Sequence, residues 1–97
     1  MRIRYTQKAL AQLDQIYSYI EAHNPSAAKR VNARIKQAIK RLARHPYSCR
    51  ATEHPGIRAL SIVRYPYLVF YSVDETAKEV HILRIRHSAR DPSRHLD

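Results

Sequence analysis

A single cysteine, a single glycine, no tryptophan and only eight acidic residues stand in a chain of 97. One thiol, Cys49, cannot form an intramolecular disulfide, which fits a reducing compartment. With Gly56 as the only glycine, there is no glycine-rich loop to cradle a phosphate and no low-complexity tract. No apolar run approaches the roughly 18 residues that a membrane-spanning helix needs. The opening Met-Arg-Ile-Arg-Tyr-Thr-Gln lacks the apolar stretch of a signal peptide, so the expectation is a cytoplasmic domain without membrane attachment. Six histidines are present, but no two lie four apart on a predicted helix and none has a Cys-x-x-Cys partner. Neither a metal nor another cofactor is therefore expected. Paired-carboxylate and nucleophile-elbow motifs are absent as well.

What is abundant is positive charge. Eighteen Lys and Arg give a formal net charge of +10. Residues 1–50 carry a net +9 and residues 51–97 only +1. Lys29, Arg30, Arg34, Lys36, Lys40, Arg41 and Arg44 follow one another with no acid between them. Such a field attracts a polyanion or an acidic protein. The hydrophobic content of 44% is enough for one modest core, so residues 1–97 read as a single domain.

The periodicity divides the chain in two. Residues 2–5 alternate as a short strand does. Thr6 is placed to cap a helix whose apolar arc is Ala9, Leu10, Leu13, Ile16, Tyr17 and Ile20. Asn24-Pro25 then caps a second helix, with Ala28, Val31, Ile35, Ala38, Ile39 and Leu42 on its buried face and the cations opposite. So short a joint makes the two helices an antiparallel hairpin. After a loop over 45–56 the period falls to two, and residues 57–64, 67–73 and 80–86 read as three strands. Residues 87–97 read as an exposed tail. The expected fold is α+β, in the order β-α-α-β-β-β, with the helical hairpin on one face of a small, mainly antiparallel sheet.

The other face of that sheet carries the chemistry. Parity places Arg84 and Arg86 together, opposite Leu83 and Ile85. Arg58 and Arg64 share parity with each other, but a bulge would decide whether they join Arg84 and Arg86. Four guanidiniums on one face would bind phosphate or carboxylate. The alternative is that these arginines pair with Glu53, Asp74, Glu75, Glu79 and Asp91. His87, beside Arg84, Arg86 and Arg90, is the one histidine suited to acid–base chemistry; the alternative is an exposed strand-end residue.

Five segments in order carry a resemblance. They are Asn24-Pro25-Ser26-Ala27-Ala28, His45-Pro46, Gly56-Ile57-Arg58-Ala59-Leu60, residues 65–73 (Tyr-Pro-Tyr-Leu-Val-Phe-Tyr-Ser-Val), and residues 82–91 (Ile-Leu-Arg-Ile-Arg-His-Ser-Ala-Arg-Asp). Over most of its length the chain resembles the ParE branch of the ParE/RelE toxins of bacterial type II toxin–antitoxin pairs. The resemblance implies the same strand–helix–helix–meander fold. It also implies a growth inhibitor neutralised by the acidic, apolar C-terminal segment of a cognate antitoxin, with operator DNA met only through the toxin–antitoxin complex. Arg30, Arg34, Lys40 and Arg41 are the electrostatic candidates for the antitoxin.

Two activities divide the superfamily. RelE-type members cut mRNA at the ribosome, which requires an acid, a base and cationic stabilisation of the transition state. Here Leu68 stands where those members carry an arginine, and the loop over 45–56 has Arg50 but no lysine. ParE-type members poison DNA gyrase by binding, and the segments over 66–71 and 87–91 resemble theirs. Ser48-Cys49-Arg50 departs from the Gly-Arg pair common there. The leading expectation is thus a gyrase-binding toxin contacting its target through Arg58, Arg64, Arg84, Arg86, His87 and Arg90. The enzyme alternative is an mRNA endonuclease using His87, with Arg58, Arg84 or Arg86 on the phosphate and Glu53 as base. A non-toxic basic binding module is the third.

Overall fold

The computed structural model describes residues 1–88. Strand β1 (Arg2–Tyr5) leads into helix α1 (Gln7–Glu21), then α2 (Pro25–Lys40), which tightens into a 3-10 turn over Arg41–Ala43. Strands β2 (Arg50–Ala51), β3 (Arg58–Ser61), β4 (Tyr67–Asp74) and β5 (Glu79–His87) follow. They form one five-stranded sheet in the order β1-β5-β4-β3-β2. β1 runs parallel to β5, and every other pair is antiparallel. The α+β architecture and the helical hairpin on one sheet face are as the sequence predicts. Among the described residues no helix is long and apolar enough to cross a membrane.

Local chemistry explains the helix boundaries. Thr6 Oγ accepts the Ala9 N–H at 3.1 Å and also donates to the Ile82 carbonyl at 3.0 Å, so one hydroxyl caps α1 and ties it to β5. Asn24 Oδ1 accepts the Ala27 N–H at 3.1 Å, and Pro25 takes the first helical position, where its missing N–H costs nothing.

The core lies between the hairpin and the sheet. α2 and the turn after it contribute Val31, Ile35, Ile39 and Leu42, α1 contributes Ala9 and Leu13, and the sheet contributes Tyr67, Val69, Tyr71, Val80, Ile82 and Ile85. Full burial of each larger aliphatic side chain stabilises by about 1.5–3 kcal/mol. Leu10 departs from the predicted apolar arc, since half of its surface is exposed.

Three boundaries differ from the sequence reading. Arg50–Ala51 form a two-residue strand inside the segment predicted as loop, too short for any periodicity to show. β3 ends at Ser61, and Arg64 sits in the turn with φ of 74°. β5 extends through His87, which is therefore strand rather than tail. The rest of the predicted tail, 89–97, including Arg90 and Asp91, lies outside the described residues.

Candidate functional site

One unpaired residue sets the surface chemistry of the sheet. Phe70 pairs with Arg84 and Tyr71 with Ile82, so Leu83 is an extra residue and β5 is bulged there. Before the bulge the even positions Val80 and Ile82 enter the core; after it the odd position Ile85 does. Leu83 stays out of the core, so the expected sharing of a face by Leu83 and Ile85 fails. Arg84 and Arg86, opposite Phe70 and Leu68, do share the face away from the helices. The bulge falls in the last strand, and not in the first strand of the meander, where parity leaves room for one.

Cross-strand register then fixes the other members of that open face. Arg50 pairs with Ala59, Ala59 with Phe70 and Phe70 with Arg84, one continuous row across four strands. The next row runs Ser61, Leu68, Arg86. Arg2 and Arg4 of β1 pair with Glu79 and His81 on the same face. The result is a buried apolar midline, Phe70 and the half-buried Leu68, bordered by guanidiniums. A cleft of about 510 Å³ opens beside it, lined by Arg50, Thr52, Glu53, Leu68, Phe70 and Ser88.

Electrostatics separates the arginines held by Glu79 from the others. Glu79 receives Arg2 at 3.1 Å, Arg4 at 3.3 Å and His81 at 3.0 Å. The hydrogen bond from His81, aided by Arg4 and Arg2, holds the Glu79 carboxyl below its ordinary range. At the hairpin loop, Tyr47 and Lys78 do the same for Glu75. Glu79 is therefore taken by Arg2 and Arg4, two arginines outside the four for which pairing with acids is the alternative. Arg86 is different: its Nε is buried without a hydrogen-bond partner among the described residues. Among the described residues it is thus a buried donor of the kind that costs about 1–3 kcal/mol when left unsatisfied.

Not every predicted residue belongs to this face. Arg58 pairs with Tyr71, a core residue, and so points to the helix-covered side. Its Nη1 donates to the Cys49 carbonyl at 2.7 Å, and its guanidinium lies 5.0 Å from the centre of the Tyr47 ring. Arg58 thus clamps the loop before β2 and does not join Arg84 and Arg86. Tyr71 holds the same loop from beneath, donating its hydroxyl to the Pro46 carbonyl at 2.8 Å. Burial pushes the ionisation of that hydroxyl well above the ordinary tyrosine range. Arg64 is exposed in the turn, away from both rows.

His87 is separated from Arg84 but shares a groove with Arg86. It pairs with Tyr67 on the helix side, the two rings meeting edge to face at 5.4 Å. There it lines a groove of about 620 Å³ with Gln12, Gln15, Ile16, Tyr19 and Arg86. On the far side of the hairpin, Arg30, Lys40 and Arg41 are exposed and Arg34 is half-buried. None of the four makes an ion pair among the described residues.

The open face also holds three arginines that the sequence reading does not place there. Arg2 and Arg4 are legible, because they alternate with Ile3 and Tyr5, which pack against the core. Arg50 is not, since a strand of two residues has no pattern.

Comparison with known proteins bears on this arrangement. The family described as "ParE toxin of type II toxin-antitoxin system, parDE" matches residues 3–92. The chain is 39% identical over 89 residues to toxin RelE2 of Caulobacter vibrioides, covering 92% of this chain and 97% of that one. It is similar in structure to a chain of the chromosomal ParDE system of P. aeruginosa. There the TM-score is 0.79 at 32% identity, covering 90% of this chain and 95% of the other. The isolated E. coli RelE toxin shares the fold, with a TM-score of 0.70 at 13% identity over 96% of this chain and 89% of that one.

Proposed function

The chain belongs to the ParE toxin family of type II toxin–antitoxin systems, and on that footing we propose that it arrests bacterial growth by binding DNA gyrase, without catalysing a reaction itself. The observation that carries this reading is the division of the candidate residues between the two faces. Arg84 and Arg86 stand on the open face beside the half-buried Leu68, with Phe70 buried beneath, and arginine is enriched at protein-binding surfaces. His87, the candidate acid or base, is on the helix side against Tyr67. A phosphate held by Arg84 would thus be across the sheet from it, whereas acid–base catalysis needs hydrogen-bond reach; Arg86 alone of the described arginines borders the groove of His87.

A cognate antitoxin would hold the protein inactive in the cytoplasm; the ParDE system of P. aeruginosa and the E. coli RelBE toxin–antitoxin complex support this reading. Its apolar anchor is the groove between α1 and β5, where Tyr19 is 60% exposed. The cations of α2, among them Arg30, Arg34, Lys40 and Arg41, would speed the approach of its acidic segment through their long-range field. Operator DNA would be met through the toxin–antitoxin complex.

One observation favours a second reading, an mRNA endonuclease. Glu53 and Arg50 line the same open-face cleft, so a carboxylate and a guanidinium border one space. The deciding experiment is induction of the chain alone in bacteria, followed by assays of plasmid supercoiling and of mRNA integrity. Loss of supercoiling, or gyrase-linked DNA breaks, with intact mRNA is expected. Position-specific mRNA cuts that vanish in Glu53→Gln would establish the second reading instead. Normal growth at full expression would point to a non-toxic binding module.

A further inference from the structure

The outer face of α2 is used neither by the core nor by the open sheet face. Lys29, Arg30, Lys36 and Lys40 project from the helix, and Arg41 and Arg44 continue the run through the 3-10 turn. All six are exposed, and none makes an ion pair among the described residues. Even Asp14 of α1, which borders the same shallow depression as Lys36, forms no ion pair with it. At 100° per residue Lys29, Lys36 and Lys40 fall within about 40° of one another, with Arg30 roughly 100° round from Lys29. From Lys29 to Arg44 the row is about 23 Å long. A DNA duplex offers about 13 phosphate charges over that distance.

What accompanies the cations decides the partner. The other exposed residues of α2 are Pro25, Ser26, Ala33 and Gln37. None of the exposed large apolar side chains is on α2 itself: Tyr19 and Tyr47 lie elsewhere, while Leu10 borders the depression beside Lys36 and Val63 the one beside Arg41. A protein partner is held by buried aromatic and aliphatic anchors, with charge depleted at the centre. Single-stranded nucleic acid is held by aromatic side chains on which bases stack. α2 offers neither. A run of cations along one helix that itself carries no exposed large apolar or aromatic anchor matches a backbone of phosphates, which needs only positive charge.

We propose that the outer face of α2 binds the phosphate backbone of duplex DNA, without sequence preference and independently of the open sheet face. The toxin then touches DNA itself, beyond whatever contact its antitoxin makes. This surface does not depend on gyrase being the target.

The test uses the full chain and a fluorescent DNA duplex of about 20 base pairs, titrated by anisotropy between roughly 50 and 200 mM salt. The Lys36→Gln/Lys40→Gln/Arg44→Gln variant should bind at least about tenfold more weakly at the low-salt end. Its slope of log affinity against log salt should be shallower by about 0.9 for each phosphate that is no longer neutralised. Lys36→Arg/Lys40→Arg should retain the slope, since charge and not side-chain identity is read. Arg84→Gln/Arg86→Gln, on the opposite surface, should leave it unchanged, and circular dichroism reports whether each variant remains helical. A slope indifferent to the α2 substitutions, or one that follows Arg84 and Arg86, overturns the proposal. So does tighter binding of polyglutamate or single-stranded RNA than of the duplex.

Discussion

The side chain of Gln12 substitutes for a missing strand: its Oε1 accepts the backbone N–H of Ile85 at 2.8 Å. β1 pairs with β5 only as far as Ile82, because at Thr6 the chain turns into α1. Beyond that point side chains take over the β5 edge, with Thr6 on the Ile82 carbonyl and Gln12 on the Ile85 amide. Gln12→Ala should therefore destabilise the fold by about 1 kcal/mol or somewhat more, the cost of an orphaned backbone donor. Denaturant unfolding measures it, and faster hydrogen exchange at Ile85 would locate it.

Arg58 and Arg86 should answer substitution in opposite ways. Arg58→Ala removes a charged hydrogen bond to the Cys49 carbonyl and the stacking on Tyr47, and should cost about 2 kcal/mol. Arg58→Lys should recover only part of that, because an ammonium lacks the planar fork. Arg86→Met removes a buried Nε that has no partner among the described residues, so stability should hold or rise while growth inhibition falls. Thermal melts set beside growth curves would separate the two. A large loss of stability in Arg86→Met would remove it from the candidate surface.

The Glu79 cluster makes stability pH-dependent. Its carboxyl is held below the ordinary value of 4.5, first by His81 and then by Arg4 and Arg2. A carboxylate depressed on folding contributes stability above its unfolded value, and that contribution disappears as pH falls through the folded value. The low-pH limb of a stability profile should thus steepen below about 4.5. Glu79→Gln should flatten that limb and leave the profile near neutrality parallel to that of the parent.

The two helix caps should differ in weight. Asn24→Ala loses one capping bond on the exposed Ala27 amide and should cost about 1 kcal/mol. Thr6→Val loses the cap and also the hydroxyl's bond to the Ile82 carbonyl, so it should cost visibly more. Equal losses in chemical unfolding would mean that the Thr6–Ile82 link carries no weight.

Features written in repeated chemistry are legible in the sequence. The 3.6-residue spacing of Val31, Ile35, Ile39 and Leu42 predicts the buried face of α2, and Asn24-Pro25 predicts its start. Single events are not legible. Leu83 carries no mark of its being an extra residue, yet it decides which way Arg84, Arg86 and His87 turn. Simple alternation puts His87 with Ile85, and the register agrees, but proximity in sequence suggests a cluster with the arginines. Arg58 escapes for another reason: its partner Tyr71 and its clamp on Cys49 come from tertiary contacts that no local pattern encodes.

The strand order also sets a schedule. β5 is flanked by β4, its neighbour in sequence, and by β1, the first of the described strands; Arg2 meets Glu79 across a separation of 77 residues. At synthesis rates of about 5–20 residues per second, β1 waits roughly 4–15 seconds for the strand that will hold it. Arg84 and Arg86 are on β5, the last of the described strands, so a chain cut short before it lacks the face proposed for the target. On the proposed function, growth arrest cannot begin before β5 is made, which gives a neutralising partner the time taken to translate the strands before it in which to be ready.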